Sequence, residues 1–163
     1  LASKLFAETV GPRAAVVSAY KPAIEKPGES LKGRLVYERE CASCHKLGDR
    51  GFEVGPNLAG VLRRTPDELL IHILDPNREV SPDFVEYVAA LKDGRTVSGI
   101  VTAETASGVT LRKAGGIEET FLKSQVEELK GTGKSLMPEG LEKNVKPEEM
   151  ADLLAYLLNL QRQ

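Results

Sequence analysis

The stretch Cys41-Ala42-Ser43-Cys44-His45 decides the reading of this chain. The 163 residues include two cysteines, and both fall here, with one of the two histidines directly after the second. C-x-x-C-H is the pattern of covalent haem c attachment. Two thiols three residues apart on a helical turn reach the two vinyl groups of one haem as thioethers, and the adjacent imidazole turns to the iron. Other uses of the pair explain less. A thioredoxin-type C-x-x-C needs a βαβ context that the flanking sequence lacks. A four-ligand zinc site needs a further Cys or His pair, and His72 alone remains. A structural disulfide leaves His45 without a reason.

Working outward, Ser30 is placed to N-cap a helix through Gly33, Leu35, Val36 and Tyr37 into Cys41. Residues 1–30 read as an N-terminal extension, helical from Arg13 to Ile24 but broken by Pro22, then turning at Lys26-Pro27-Gly28-Glu29. After the motif comes a turn-rich loop with Gly48, Gly51, Gly55, Pro56, Asn57 and Gly60. Thr65-Pro66-Asp67-Glu68 is a helix start, and Leu69, Leu70, Ile73 and Leu74 follow before Pro76 ends it. A last helix opens at Pro147-Glu148-Glu149 and carries Met150, Leu153, Leu154 and Leu157 at helical spacing.

Between Phe84 and Leu129 the texture changes. Phe84–Lys92, Arg95–Ala103, Val109–Lys113 and Ile117–Lys123 read as strands, with Asp93-Gly94 and Gly115-Gly116 as turns. Four or five short strands at this spacing predict a small antiparallel sheet or barrel, inserted in a helical frame that runs over 31–160. Phe84 and Tyr87 are expected in the core of that insert.

Composition excludes several classes. A net charge of -2 is not that of a strongly basic nucleic-acid binder, and two cysteines do not make a disulfide scaffold. Aromatics are 5%, so the core is aliphatic or is partly filled by something other than protein. No stretch is long and apolar enough to span a bilayer, and residues 1–10 do not read as a secretory signal. The chain does not begin with Met and reads as a mature or excised fragment.

The chain resembles class I cytochromes c, and the likeness is distributed. Gly33 and Tyr37 ahead of the motif are similar to that family's N-terminal helix. Gly55-Pro56-Asn57-Leu58 resembles its loop after the haem motif, Ser135-Leu136-Met137-Pro138 its distal methionine loop, and Asp152-Leu153-Leu154-Ala155-Tyr156-Leu157 its C-terminal helix. The order also resembles the haem-binding domain of planctomycete and verrucomicrobial proteins, with Leu-Asp-Pro after the middle helix and a β-rich insert over 84–129. The resemblance implies a mainly α cytochrome c fold with an antiparallel β insertion before the distal Met loop, α+β overall. It implies one haem c held through two thioethers and a role as electron carrier rather than enzyme. The redox partner is then a separate protein or a fused dehydrogenase domain, on the periplasmic or otherwise extracytoplasmic side.

Roles follow residue by residue. Cys41 and Cys44 are the attachment points and His45 the proximal ligand. The resemblance gives the Pro56 carbonyl as acceptor for the other His45 nitrogen, and Arg63 or Arg64 as contact to a haem propionate. Leu58, Leu62, Leu69, Ile73, Leu136 and Leu141 are candidates to line the haem. Met137 is the candidate sixth ligand, in a short loop whose backbone Pro138 constrains. His72, Met150 and an open iron are its competitors, and Met150 shares the helical register of Leu153, Leu154 and Leu157. A Met ligand favours ferrous iron, raises the potential and closes the site to substrate, as one-electron transfer requires. A haem-based catalyst or gas sensor with a labile sixth ligand is the alternative.

Overall fold

The helix that leads into Cys41 and the last helix of the frame cross at a residue without a side chain. The computed structural model describes residues 12–61 and 63–159. Within them, helices α1 (Ala14–Tyr20), α2 (Pro22–Glu25), α3 (Ser30–Glu40), α4 (Leu58–Val61), α5 (Pro66–Leu74) and α6 (Pro147–Asn159) form the frame. A methyl group at Gly33 would overlap the Asp152 carbonyl of α6, so only glycine lets α3 approach so closely. One turn on, Tyr37 is fully buried, with its ring centroid 5.7 Å from that of Tyr156.

The expected cap of α3 is corrected. Ser30 is the first helical residue and makes no capping bond. The Glu29 N–H instead donates to Asp152 Oδ1 at 2.7 Å. A carboxylate from the crossing helix thus sits at the positive end of α3, where the helix dipole favours it. The start of α5 follows its sequence: Thr65 and Glu68 form a reciprocal capping box with Pro66 in the first turn.

Pro22 restarts the helix rather than ending it, because Pro at the first helical position has no N–H to lose. The described part of the 1–30 extension joins the common core, where Val17, Tyr20 and Ala23 pack with Leu70, Leu74, Met150 and Leu154. Tyr20 Oη donates to the Val145 carbonyl at 2.7 Å, and Arg13 Nε donates to the Leu74 carbonyl at 2.5 Å.

The insert is an open antiparallel sheet of β1 (Val85–Leu91), β2 (Thr96–Glu104), β3 (Gly108–Lys113), β4 (Ile117–Leu122) and β5 (Val126–Ser135), in the order β4-β3-β2-β1-β5. It has its own small core of Ala89, Leu91, Val109, Leu111 and Phe121. The fifth strand carries the sheet six residues past Leu129, to Ser135. Sequence pattern misses it because Glu127, Glu128, Lys130, Gly131 and Thr132 show no apolar alternation; the strand is held by pairing with β1. Val85 pairs with Ser135, so the two ends of the insert meet beside the loop that carries Met137.

Candidate functional site

The Cys41–His45 segment is wound onto the end of α3. Cys41 N–H donates to the Tyr37 carbonyl at 2.9 Å and His45 N–H to the Cys41 carbonyl at 2.8 Å. Tyr37 Oη then donates back to the His45 carbonyl at 2.7 Å and also lies 3.1 Å from the Arg50 carbonyl, so a fully buried phenol ties the motif to the loop after it. Both Val54 and Gly55 donate to the Cys44 carbonyl, at 3.0 and 2.7 Å. Gly55 lies flush on the imidazole: a Cβ there would sit 2.7 Å from His45 Cε1.

This wrapping fixes one nitrogen of His45 and leaves the other for chemistry. Nδ1 lies 2.8 Å from the Pro56 carbonyl oxygen. A carbonyl only accepts, so Nδ1 carries the proton and Nε2 keeps its lone pair. Burial lowers the imidazole pKa, opposed by the Pro56 carbonyl, and favours the neutral form that binds a metal. Burial also pushes the Cys41 thiol up to about 12. That is the reverse of the lowered pKa of an exchange-active C-x-x-C pair.

Cys41, Cys44 and His45 open onto a cavity of about 1170 Å³ between the helical frame and the sheet. It exceeds the roughly 300–1,000 Å³ of ordinary small-molecule sites. The frame contributes Leu58, Leu69, Ile73, Leu153 and Leu157. Leu136, Met137 and Leu141 come from the distal side, and Ser98, Ile100, Lys113 and Ala114 from the sheet. A large flat apolar group with two thioether bonds and a nitrogen ligand fits this donor set and this lining. Among the described residues, no cluster of three or more His, Cys, Asp or Glu is arranged to hold a bare metal ion.

The structure brings most of the expected residues to this cavity, and some not. Pro56, Leu58, Arg64, Leu69, Ile73, Leu136, Met137 and Leu141 line it. Arg63 is exposed and does not line it, and Leu62 lies outside the described residues. His72 lines the cavity, half-buried and in contact with Arg64. Its pKa is lowered first by burial and then by the Arg64 charge. Met150 is fully buried in the helical core and does not line the cavity. Phe84 is corrected: it precedes β1 and lines the cavity rather than the core of the sheet. Tyr87 does pack against that core.

The cavity wall supplied by the sheet was missed, because a strand alternation tells which face is apolar but not what it faces. The β3–β4 turn closes down on the motif itself. Gly115 N–H donates to the Ser43 carbonyl at 2.6 Å, and Arg112 Nη1 donates to the Glu53 carbonyl at 3.0 Å.

Residues 28–90 match the family model described as cytochrome C oxidase, cbb3-type, subunit III. A curated relative, a cytochrome c-553-like protein of Synechocystis sp., is 28% identical over 75 residues, covering 39% of this chain and 70% of its own length. A cytochrome c of Stellaria longipes is 42% identical over 40 residues, covering 24% of this chain and 37% of its own. These likenesses support a cytochrome c-type domain. The family match takes in Cys41, Cys44, His45 and α5 and stops inside β1, before the distal loop. Among the described residues, no helix is long and apolar enough to cross a membrane.

Proposed function

We propose that the chain is a monohaem c-type cytochrome that passes single electrons, with His45 and Met137 as the residues that would hold its iron. The observation that carries the reading is one cavity onto which Cys41, Cys44, His45 and Met137 all open. Haem c bound there supplies an iron that alternates between ferrous and ferric states. Cys41 and Cys44 would hold it through thioethers. His45 offers Nε2, with its ring fixed by the Pro56 carbonyl and by Gly55. Met137 offers a thioether, a ligand that cannot be protonated and that leaves no position for substrate.

The leucine and isoleucine lining excludes water, which favours the less charged ferrous state and raises the potential. No bond in a substrate is made or broken, so the chain acts as a carrier and not as an enzyme. The sheet between the middle helix and the Met137 loop is the feature shared with the planctomycete and verrucomicrobial type of haem-binding domain. The electron donor or acceptor is a redox partner protein or a fused dehydrogenase domain, on the extracytoplasmic side of a bacterial membrane.

The test is to produce the chain in a host that attaches haem c. Mass spectrometry is expected to show one haem that survives acid extraction, and a redox titration a single one-electron wave. Haem that extracts freely, or a redox response needing two electrons, would overturn the reading.

A further inference from the structure

The loop that carries Met137 is held by side chains and strands distant in sequence. Every backbone donor ahead of Pro138 is taken. Ser135 N–H donates to Asn77 Oδ1 at 2.8 Å, Leu136 N–H to the Phe84 carbonyl at 3.3 Å, and Met137 N–H to Ser135 Oγ at 3.1 Å. Pro138 has no N–H to satisfy.

Asn77 follows α5 in the turn Asp75-Pro76-Asn77, where Asp75 and Pro76 are both buried. Its amide reaches both flanks of Met137. Oδ1 accepts from Ser135 on one side, and Nδ2 donates to Glu139 Oε1 at 2.7 Å on the other. An amide suits this place because it accepts and donates at once; a carboxylate would only accept. Asn77 does not itself line the cavity.

We propose that Asn77 is the positioning residue of the distal loop: its amide clamps Ser135 and Glu139 so that the Met137 thioether stays over the cavity. The clamp sets how often the loop opens to an external ligand. This rests on Met137 as the sixth ligand. An external ligand binds only the opened population, so its apparent affinity rises in proportion to that population.

The test compares wild-type holoprotein with Asn77→Ala. Three quantities are read: imidazole affinity of the ferric protein, the long-wavelength sulfur-to-iron charge-transfer band, and amide hydrogen exchange at Ser135 and Met137. In Asn77→Ala, imidazole affinity and amide exchange are expected to rise on the order of tenfold, as losing one or two net hydrogen bonds implies. The band weakens. Asn77→Asp combined with Glu139→Gln keeps the Ser135 N–H donating to residue 77 and reverses donor and acceptor in the bond to residue 139, and is expected to return all three quantities to wild-type values. A residue that merely stabilises the fold would move the melting temperature and not these. Should Asn77→Ala fail to fold, Glu139→Ala cuts one arm of the clamp at an exposed site and should shift the same quantities less, in the same direction.

A wild-type band with Asn77→Ala unchanged in affinity, band and exchange would overturn the clamp alone. An altered Asn77→Ala that the exchanged pair fails to rescue would overturn it too. A wild type without the band would refute Met137 ligation instead, while the exchange rates still report on the clamp.

Discussion

The two walls of the cavity are built on different principles. On the His45 side, the bonds that fix the imidazole join residues close in sequence, 8 apart for Tyr37 to the His45 carbonyl and 11 apart for His45 to the Pro56 carbonyl, and the sheet adds Gly115 to Ser43 from outside. On the Met137 side they span 58 residues from Asn77 to Ser135 and 62 from Asn77 to Glu139. Arg13 reaches across 129 residues to an ion pair with Glu142 at 2.5 Å, and Tyr20 across 125 to the Val145 carbonyl. The first wall is a wrapped segment that forms with its helix. The second exists only when the extension, α5, the sheet and the distal loop have all come together. The His45 side is therefore expected to keep its geometry under perturbation, and the Met137 side to open first.

The largest expected effect lies on the local wall. His45→Ala should abolish a stable six-coordinate haem protein, since it removes the one imidazole that the Pro56 carbonyl and Gly55 hold beside Cys41 and Cys44. Absorption spectra of purified protein check this, and a normal low-spin spectrum would break the comparison. Next is Gly33→Val in the frame that both walls share. The added side chain meets the Asp152 carbonyl and should cost about 3 kcal/mol, or roughly 6–12 °C in melting temperature. The spectrum of the protein that still folds should not change.

A matched pair sharpens the contrast. Tyr37→Phe and Tyr20→Phe each remove a hydroxyl shared between two carbonyls, one on each wall. Both should cost about 1–3 kcal/mol by thermal unfolding, because buried acceptors lose their donor. Only Tyr20→Phe should also tighten imidazole binding to the ferric protein, because only the Met137 side opens. Equal tightening in both would remove the distinction between the walls.

The smallest effect is in the pH dependence. The Lys146 N–H, and then Arg39, hold the Glu149 carboxyl below its ordinary range at the start of α6. A carboxyl with a lowered folded pKa contributes stability above its ordinary pKa, and that contribution is lost as pH falls through the folded value. Glu149→Gln should thus lower the melting temperature slightly at neutral pH, with the difference from wild type vanishing in acid. A difference that grew in acid would contradict the assignment.

How much of this is legible in the sequence follows the same division. Cys41-Ala42-Ser43-Cys44-His45, the glycine-rich loop after it and the Thr65–Glu68 capping box are local signals, and local signals survive reading one residue at a time. Ser30 has the residue type of a cap, but the carboxylate that serves α3 comes from Asp152, on another helix. Val126–Ser135 hid its strand because its register comes from β1 and not from its own alternation. Leu74-Asp75-Pro76-Asn77 is visible as a helix end, but that the Asn77 amide would reach both sides of Met137 is a product of tertiary packing. Phe84 fell on the wrong side of the sheet for the same reason: its neighbours are set by where the insert's two ends meet.

The measurement that bears most directly on the account is the ferric absorption spectrum of the holoprotein, in wild type, Met137→Ala and His72→Ala. A sulfur-to-iron charge-transfer band is expected in wild type and in His72→Ala. It should be absent in Met137→Ala, whose ferrous form should then bind carbon monoxide. A wild type that lacks the band and takes up carbon monoxide as readily as Met137→Ala would contradict ligation by Met137, and with it the reading of this chain as a closed electron carrier.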